Sequence, residues 1–254
     1  MCQDHMSENA PPAGPARLAS RNAYRRYQER IASQVIVPSL ARDGIALAGN
    51  RLLDVGCGTG GMMPVWRENG ADPVGVDTDV ARLKGLPEAC VAGDVLSLPF
   101  ADESFRIVVA HDCLEHVGET ARALAEIARV LSPVGVAFVT FPPFFSAYGA
   151  HQHASPTFAK FFPFGHLLPA RLWLALAGHG PYRKMFAKLS RLSMSRFERA
   201  VPAAGLRVRT RRAFLVRPEV ALRWRVPAVP APLVAAVPLL RELVVTGVFY
   251  LLQK

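Results

Sequence analysis

The sequence predicts an α/β fold built on a mostly parallel sheet. Three observations carry the prediction. Apolar runs of strand length recur between Arg51 and Phe141, helical periodicity separates them, and a glycine-rich loop closes the first run. Strands alternating with helices at this spacing make βαβ units. Right-handed crossovers then bring the loops after the strands to one sheet edge, where ligands bind. The chain has 254 residues, 51% hydrophobic and 20% charged, enough apolar surface for a full core and too much for a disordered polymer.

Residues 1–16 are polar and Pro-rich and predict a disordered tail without the apolar stretch of a secretory signal. Residues 17–254 are expected to form a single domain. Its first part, 17–50, holds N-terminal helices: Ser20 is a candidate N-cap, Tyr24, Tyr27, Ile31 and Val35 fall at helical spacing, and the helix is expected to end before Pro38. In a core over 51–141, strands are expected at Arg51–Val55, Val74–Asp77, Cys90–Ala92, Phe105–Ala110 and Val134–Phe141. Helices are expected at Met62–Glu68, Asp79–Lys84 and Glu119–Leu131.

The rhythm then breaks. Residues 142–192 are rich in Pro, Phe, Leu, His and basic residues and predict a mostly helical insertion, an apolar and basic lid. Residues 193–254 resume with a helix at Met194–Ala204, a strand at Leu206–Leu215, a Pro-rich extension and a β-prone end at Val244–Leu252. The longest stretch free of charge, Val130–Ala159, is interrupted by four prolines and two histidines, so no segment reads as a transmembrane helix.

Charge is divided unevenly. The total is +10, yet residues 51–141 sum to −6 and residues 142–254 to +14. Such asymmetry suggests two jobs on one chain, an acidic core for a cationic ligand and a basic half for an anionic acceptor or an anionic membrane surface. The four cysteines (Cys2, Cys57, Cys90, Cys113) form no CxxC pair and no disulfide framework, which predicts a reducing, cytoplasmic setting.

The sharpest local feature is the loop after the first strand. Gly56, Gly58 and Gly61 satisfy G-x-G-x-x-G, which keeps a dinucleotide enzyme in view. Asp54, two residues before the loop, suits a cationic amino-acid ligand better than a pyrophosphate. Asp77, 19 residues after Gly58, is placed to accept both hydroxyls of a ribose, its alternative being a helix N-cap. Asp94, after the third strand, either accepts from an adenine amino group or caps its own loop.

Four segments carry a family resemblance: LLDVGCGTG (52–60), VGVDTD (74–79), GDVLSLPFADESFRIVVAHDCLEHV (93–117) and EIARVLSPVGVAFVTFP (126–142). They resemble the class I S-adenosylmethionine-dependent methyltransferases, in particular the type 11 group that includes quinone-biosynthesis enzymes. The match runs in order over about residues 50–142. It implies a doubly wound, Rossmann-like sheet with an antiparallel last strand, to which the insertion read at 142–192 is added after the fifth strand. It also implies S-adenosylmethionine as cofactor. By that resemblance Asp54, Gly56, Cys57, Gly58 and Gly60 line its methionine end, Asp77 holds the ribose with Thr78 beside it, Asp94 and Val95 meet the adenine, and His111 sits against its far side.

Methyl transfer from a sulfonium needs an acceptor held in line and water kept out. A general base helps when the nucleophile is a hydroxyl. Candidates lie in the loops after the fourth and fifth strands: His111 and His116 in one, His151 with His153 in the other. His116 reads equally well as structural. His151 and His153 lack a third ligand, so no metal is expected. The reading is a methyltransferase for a small acceptor, apolar, aromatic or lipid-like, at an O, N or C nucleophile, cytoplasmic and in peripheral contact with anionic membrane through residues 142–254. Two alternatives are a nucleic-acid methyltransferase, disfavoured because the basic half has no aromatic–basic recognition motif, and a non-catalytic cofactor-binding regulator.

Overall fold

The computed structural model describes residues 21–86, 89–152, 155–178 and 181–254. The expected tail at 1–16, the Ser20 cap and His153 lie outside the described residues. Eight strands form one mixed sheet in the order β3-β2-β1-β4-β5-β8-β6-β7. β1 (Arg51–Val55), β2 (Asp72–Asp77), β3 (Cys90–Ala92), β4 (Phe105–His111) and β5 (Leu131–Phe141) are parallel. β8 (Gly247–Gln253) runs antiparallel between β5 and β6 (Arg207–Val216), with β7 (Val229–Pro230) at the edge. The antiparallel last strand implied by the family resemblance is present.

Alternation along the strands buries both faces, as parallel sheets require. On β1 and β4, Leu53, Val108 and Ala110 pack with Leu124 and Ile127 of α5 (Thr120–Val130) and with Phe197 of α8 (Met194–Ala203). On the other face Leu52, Ile107 and Val109 pack with Ile31, Ile36, Leu40 and Trp66. These come from α1 (Arg21–Ile31), a following π-helical turn (Ala32–Ile36), α2 (Val37–Arg42) and α3 (Met63–Glu68). α4 (Val80–Leu83) follows β2.

Proline accounts for the main departures from expectation. α1 ends before Pro38, as expected, but helical structure continues past the proline. The chain loosens into the π-helical turn, and Pro38 falls in the first turn of α2, where its missing N–H has no helical partner to lose. The Pro-rich extension likewise resolves into α9 (Pro218–Trp224), α10 (Pro232–Ala236) and α11 (Pro238–Val244), each opening on a proline. The insertion after β5 carries α6 (Ala170–Ala177), α7 (Pro181–Ala187) and two 3-10 turns around a small core of Trp173, Ala159, Ala177 and Tyr182.

The basic half spends its few acids on arginines. Glu198 accepts from Arg211 at 3.0 Å and pairs with Arg241 at 2.8 Å, Glu219 holds Arg217, and Glu242 holds the start of α8 through Ser195. Arg209 and Arg212 of β6 both reach Asp43, after α2. Among the described residues, no helix is long and apolar enough to cross a membrane.

Candidate active site

The order β2-β1-β4 reverses direction at β1, and the crevice beyond the carboxyl ends of β1 and β4 is the place such sheets bind ligands. The loop that opens it begins at Gly56, with φ of +74° and N–H donating to the Val76 carbonyl at 2.8 Å. A Cβ there would stand 2.8 Å from Cys113 Cβ, so both backbone and space require glycine. Gly58 donates its N–H to Asp77 Oδ2 at 2.9 Å, and Asp77 Oδ1 accepts from Asp79 N–H at 2.8 Å. Asp77 thus braces two loops at once. The cap of α4 is Asp79, not Asp77.

Asp54 is buried on β1, with Oδ2 accepting from Trp66 Nε1 at 3.0 Å. Burial raises its pKa to about 6, against the lowering effect of the Trp66 hydrogen bond. Cys57 serves as a small packing residue of the loop. Its thiol turns inward beside Cys90, where a Cβ on Gly75 would meet both sulfurs at 2.8 Å, so only its backbone is left for a ligand. Asp94 uses Oδ1 to accept from Leu96 N–H at 2.9 Å, the loop-capping alternative, while still lining the crevice.

One cavity of about 1170 Å³ joins these residues. Asp54, Gly56, Gly58, Asp77, Thr78, Asp94 and Val95 line it on the glycine-loop side, and His111, Asp112, His116 and His151 on the other. Gly60 and the Cys57 side chain are not among its walls. Tyr24, Tyr27 and Gln28 of α1 also line it, which the sequence did not reveal. α1 is tied onto the loop by Thr59 Oγ1 donating to Gln28 Oε1 at 2.8 Å, and by Gly61, where a Cβ would stand 2.6 Å from the Arg25 carbonyl.

The wall after β4 is a charged network. Asp112, with φ of +47°, accepts from Arg217 Nη2 at 2.8 and 2.7 Å, and Arg217 Nε donates to Glu219 Oε2 at 2.9 Å. Burial opposes the Asp112 charge, but Arg217 and His111 outweigh it and hold the carboxyl well below its usual range. Thr140 Oγ1 donates to Asp112 at 3.1 Å, so at 2.7 Å it accepts from His111 Nδ1, leaving the other ring nitrogen of a neutral His111 as an acceptor. Arg217 was missed in the sequence. Its signal was Glu219, one of only three acids after residue 141.

His116 and His151 stack with centroids 5.1 Å apart and planes 4° from parallel. Glu115 lies behind them, buried, with Oε1 3.3 Å from His151 Nε2. Burial works against a charged His151, yet Glu115 and Asp112 prevail and raise its pKa above 6.5. Burial lowers that of His116. The partners that His151 lacked in sequence therefore come from Glu115 and His116.

The sheet order, the antiparallel β8 and the braced glycine loop define the class I methyltransferase fold. Residues 53–139 match the family model described as a methyltransferase domain. Over this core the chain is similar to the class I S-adenosylmethionine-dependent methyltransferases, type 11 group. It is 39% identical over 127 residues to the demethylmenaquinone methyltransferase of Renibacterium salmoninarum, covering 45% of this chain and 54% of that one. An uncharacterized methyltransferase of Mycobacteroides abscessus is 28% identical over 149 residues, 55% of this chain and 56% of that one. The chain thus spans about half the length of these curated relatives. A solved S-adenosylmethionine-dependent methyltransferase from Mesorhizobium loti shares the fold with a TM-score of 0.55 at 20% identity, over 85% of this chain and 96% of that one.

Proposed function

We propose that this chain transfers a methyl group from S-adenosylmethionine to a small acceptor with an apolar, ring- or chain-like body, at an oxygen, nitrogen or carbon nucleophile. The observation that carries the reading is the shared cavity. Its volume of about 1170 Å³ exceeds what one drug-sized ligand fills, and its two walls differ in chemistry. Asp54 and Asp77, both buried, line the first wall beside the backbone of Gly56 and Gly58, an acidic, peptide-lined cleft that fits a cationic amino-acid end and a ribose. Asp54 would take the ammonium, Asp77 and Thr78 the ribose side, Asp94 and Val95 the adenine, and His111 the far side. The cofactor supplies a methyl already activated on a sulfonium.

The chain's own residues then position and shield. α1 covers the glycine loop and keeps water from the cleft. His111, His116 and His151 face the second wall, where an acceptor proton has to be held, and His151 with Glu115 behind it is the candidate base. A quinone-type ring as acceptor is supported by the relatives named demethylmenaquinone methyltransferases, of Renibacterium salmoninarum and of Corynebacterium kroppenstedtii, the latter 36% identical over 53% of its length. The lid supports an approach from an anionic membrane. Phe158, Phe161 and Phe162 are 76%, 72% and 62% exposed, with Lys160 among them.

The test is incubation of the full chain with isotope-labelled cofactor and a cell extract, followed by lipid and aqueous partition and mass spectrometry. Label in a lipid-phase product is expected. Cofactor binding with no methylated product would overturn the enzyme reading, and label on nucleic acid would overturn the acceptor class.

A further inference from the structure

Glu115, His116 and His151 form a constellation that a single general base does not use up. Glu115 and His116 sit on the 3-10 turn Leu114–His116 after β4, and His151 comes from the loop after β5. One ligand atom from each lies within 4.8 Å of the other two. Glu115 is 3% exposed, and among the described residues the side-chain partner of its carboxylate is His151, with Oε1 3.3 Å from Nε2. A buried carboxylate of this kind is unfavourable unless a positive charge meets it. The backbone is strained to aim the set: Asp112, Ala150 and His151 have φ of 47°, 51° and 49°, a region that side chains other than glycine seldom adopt.

We propose that Glu115, His116 and His151 bind a divalent transition-metal ion of the zinc class, with its open coordination positions turned to the acceptor half of the cavity. Two imidazoles and one carboxylate suit zinc, cobalt(II), nickel or iron(II), whereas magnesium and calcium favour oxygen cages. His116 and His151 line the cavity and Glu115 closes the set from behind. Local charge favours a cation. Arg217 is taken up by Asp112 and Glu219, which leaves the Glu115 carboxylate facing the two imidazoles. Lys160, Lys184 and Lys188 oppose it from the same cavity, and Lys184 and Lys188 are exposed to solvent. Metal–ligand bonds of about 2.0–2.2 Å draw ligand atoms to within roughly 4 Å of each other, so the set closes by side-chain rotation on binding.

The consequence for acceptor chemistry rests on the methyl-transfer reading; the metal site itself does not. An acceptor hydroxyl held at the open position has its pKa lowered and loses its proton to solvent near neutral pH. The oxygen–methyl bond then forms as the sulfur–methyl bond breaks, and His151 serves as ligand rather than base.

The full chain, stripped with chelator, is titrated with cobalt(II) while visible d–d absorption is followed, and zinc is then added in competition. One equivalent per chain is expected, with an affinity at least tenfold weaker in His116→Ala and in His151→Ala. Glu115→Gln is expected to weaken it similarly; if that buried change prevents folding, the histidine variants decide. Retained cofactor binding in these variants shows that the fold survives. No saturable cobalt binding, or binding unaltered in both histidine variants, would overturn the site. Metal binding in a chain that yields no methylated product removes the methyl-transfer reading and leaves the site standing. Undiminished transfer by the stripped protein removes the acceptor role.

Discussion

Asp77 and Gly58, 19 residues apart, meet through a 2.9 Å hydrogen bond in which the carboxylate at the end of β2 holds the loop after β1. One side chain therefore shapes the glycine loop and, on the proposed reading, keeps lone pairs for a ribose. Asp77→Ala is expected to weaken cofactor binding at least tenfold, about 1.4 kcal/mol, by calorimetry. Asp77→Asn, which keeps one acceptor oxygen, should lose less. Unchanged affinity in the alanine variant would refute the role.

Asp54 predicts a pH dependence. Burial raises its folded pKa from 3.8 to about 6, so the ligand-free protein holds this proton more tightly than the unfolded chain does. Its contribution to stability is full below pH 3.8 and is lost as pH rises to about 6, a change of about 3 kcal/mol. Cofactor binding has the opposite dependence, because an ammonium needs the ionised carboxylate. Affinity should be flat above pH 6 and fall by up to tenfold per unit below it. A profile that is the same in Asp54→Asn would remove Asp54 from the ammonium site.

Arg217 neutralises Asp112 and Glu219 where little water reaches. Arg217→Met leaves two carboxylates facing each other. The expected loss is about 3–5 kcal/mol, seen as a fall of roughly 10 °C in Tm. Asp112 has a depressed folded pKa, so its share of this stability is present above its ordinary range and is lost as pH falls below it. Equal Tm values for variant and parent at neutral pH would show that the network is not structural.

The exposed lid phenylalanines test the membrane proposal. Replacing Phe158, Phe161 and Phe162 together by Ser should reduce sedimentation with anionic vesicles several-fold. Raising the salt should reduce binding of the parent chain. Equal binding by parent and triple variant would send the contact elsewhere on the basic half.

Legibility followed the range of the interaction. β1, β2 and their loop were readable because Asp54, Gly56 and Asp77 mark strand ends by local sequence alone. The cavity-facing side of α1 was not, because Tyr24 and Tyr27 recur at the spacing of any helix packed on a core. The meeting of Glu115 with His151 depends on β4 and β5 lying side by side in parallel. The sequence placed both loops on one edge but could not orient their side chains. The helices at Pro218, Pro232 and Pro238 were hidden because proline, which breaks helices inside, also starts them.

The late position of β8 governs how this sheet can be assembled. Residues 247–253 lie between β5 and β6, so both of those strands wait for a partner that leaves the ribosome after everything described above. Until it arrives, β5 offers an open apolar edge and β6 lacks its place in the sheet. Closure of this sheet therefore comes late in the order of synthesis, and chains interrupted before residue 247 should be prone to aggregate.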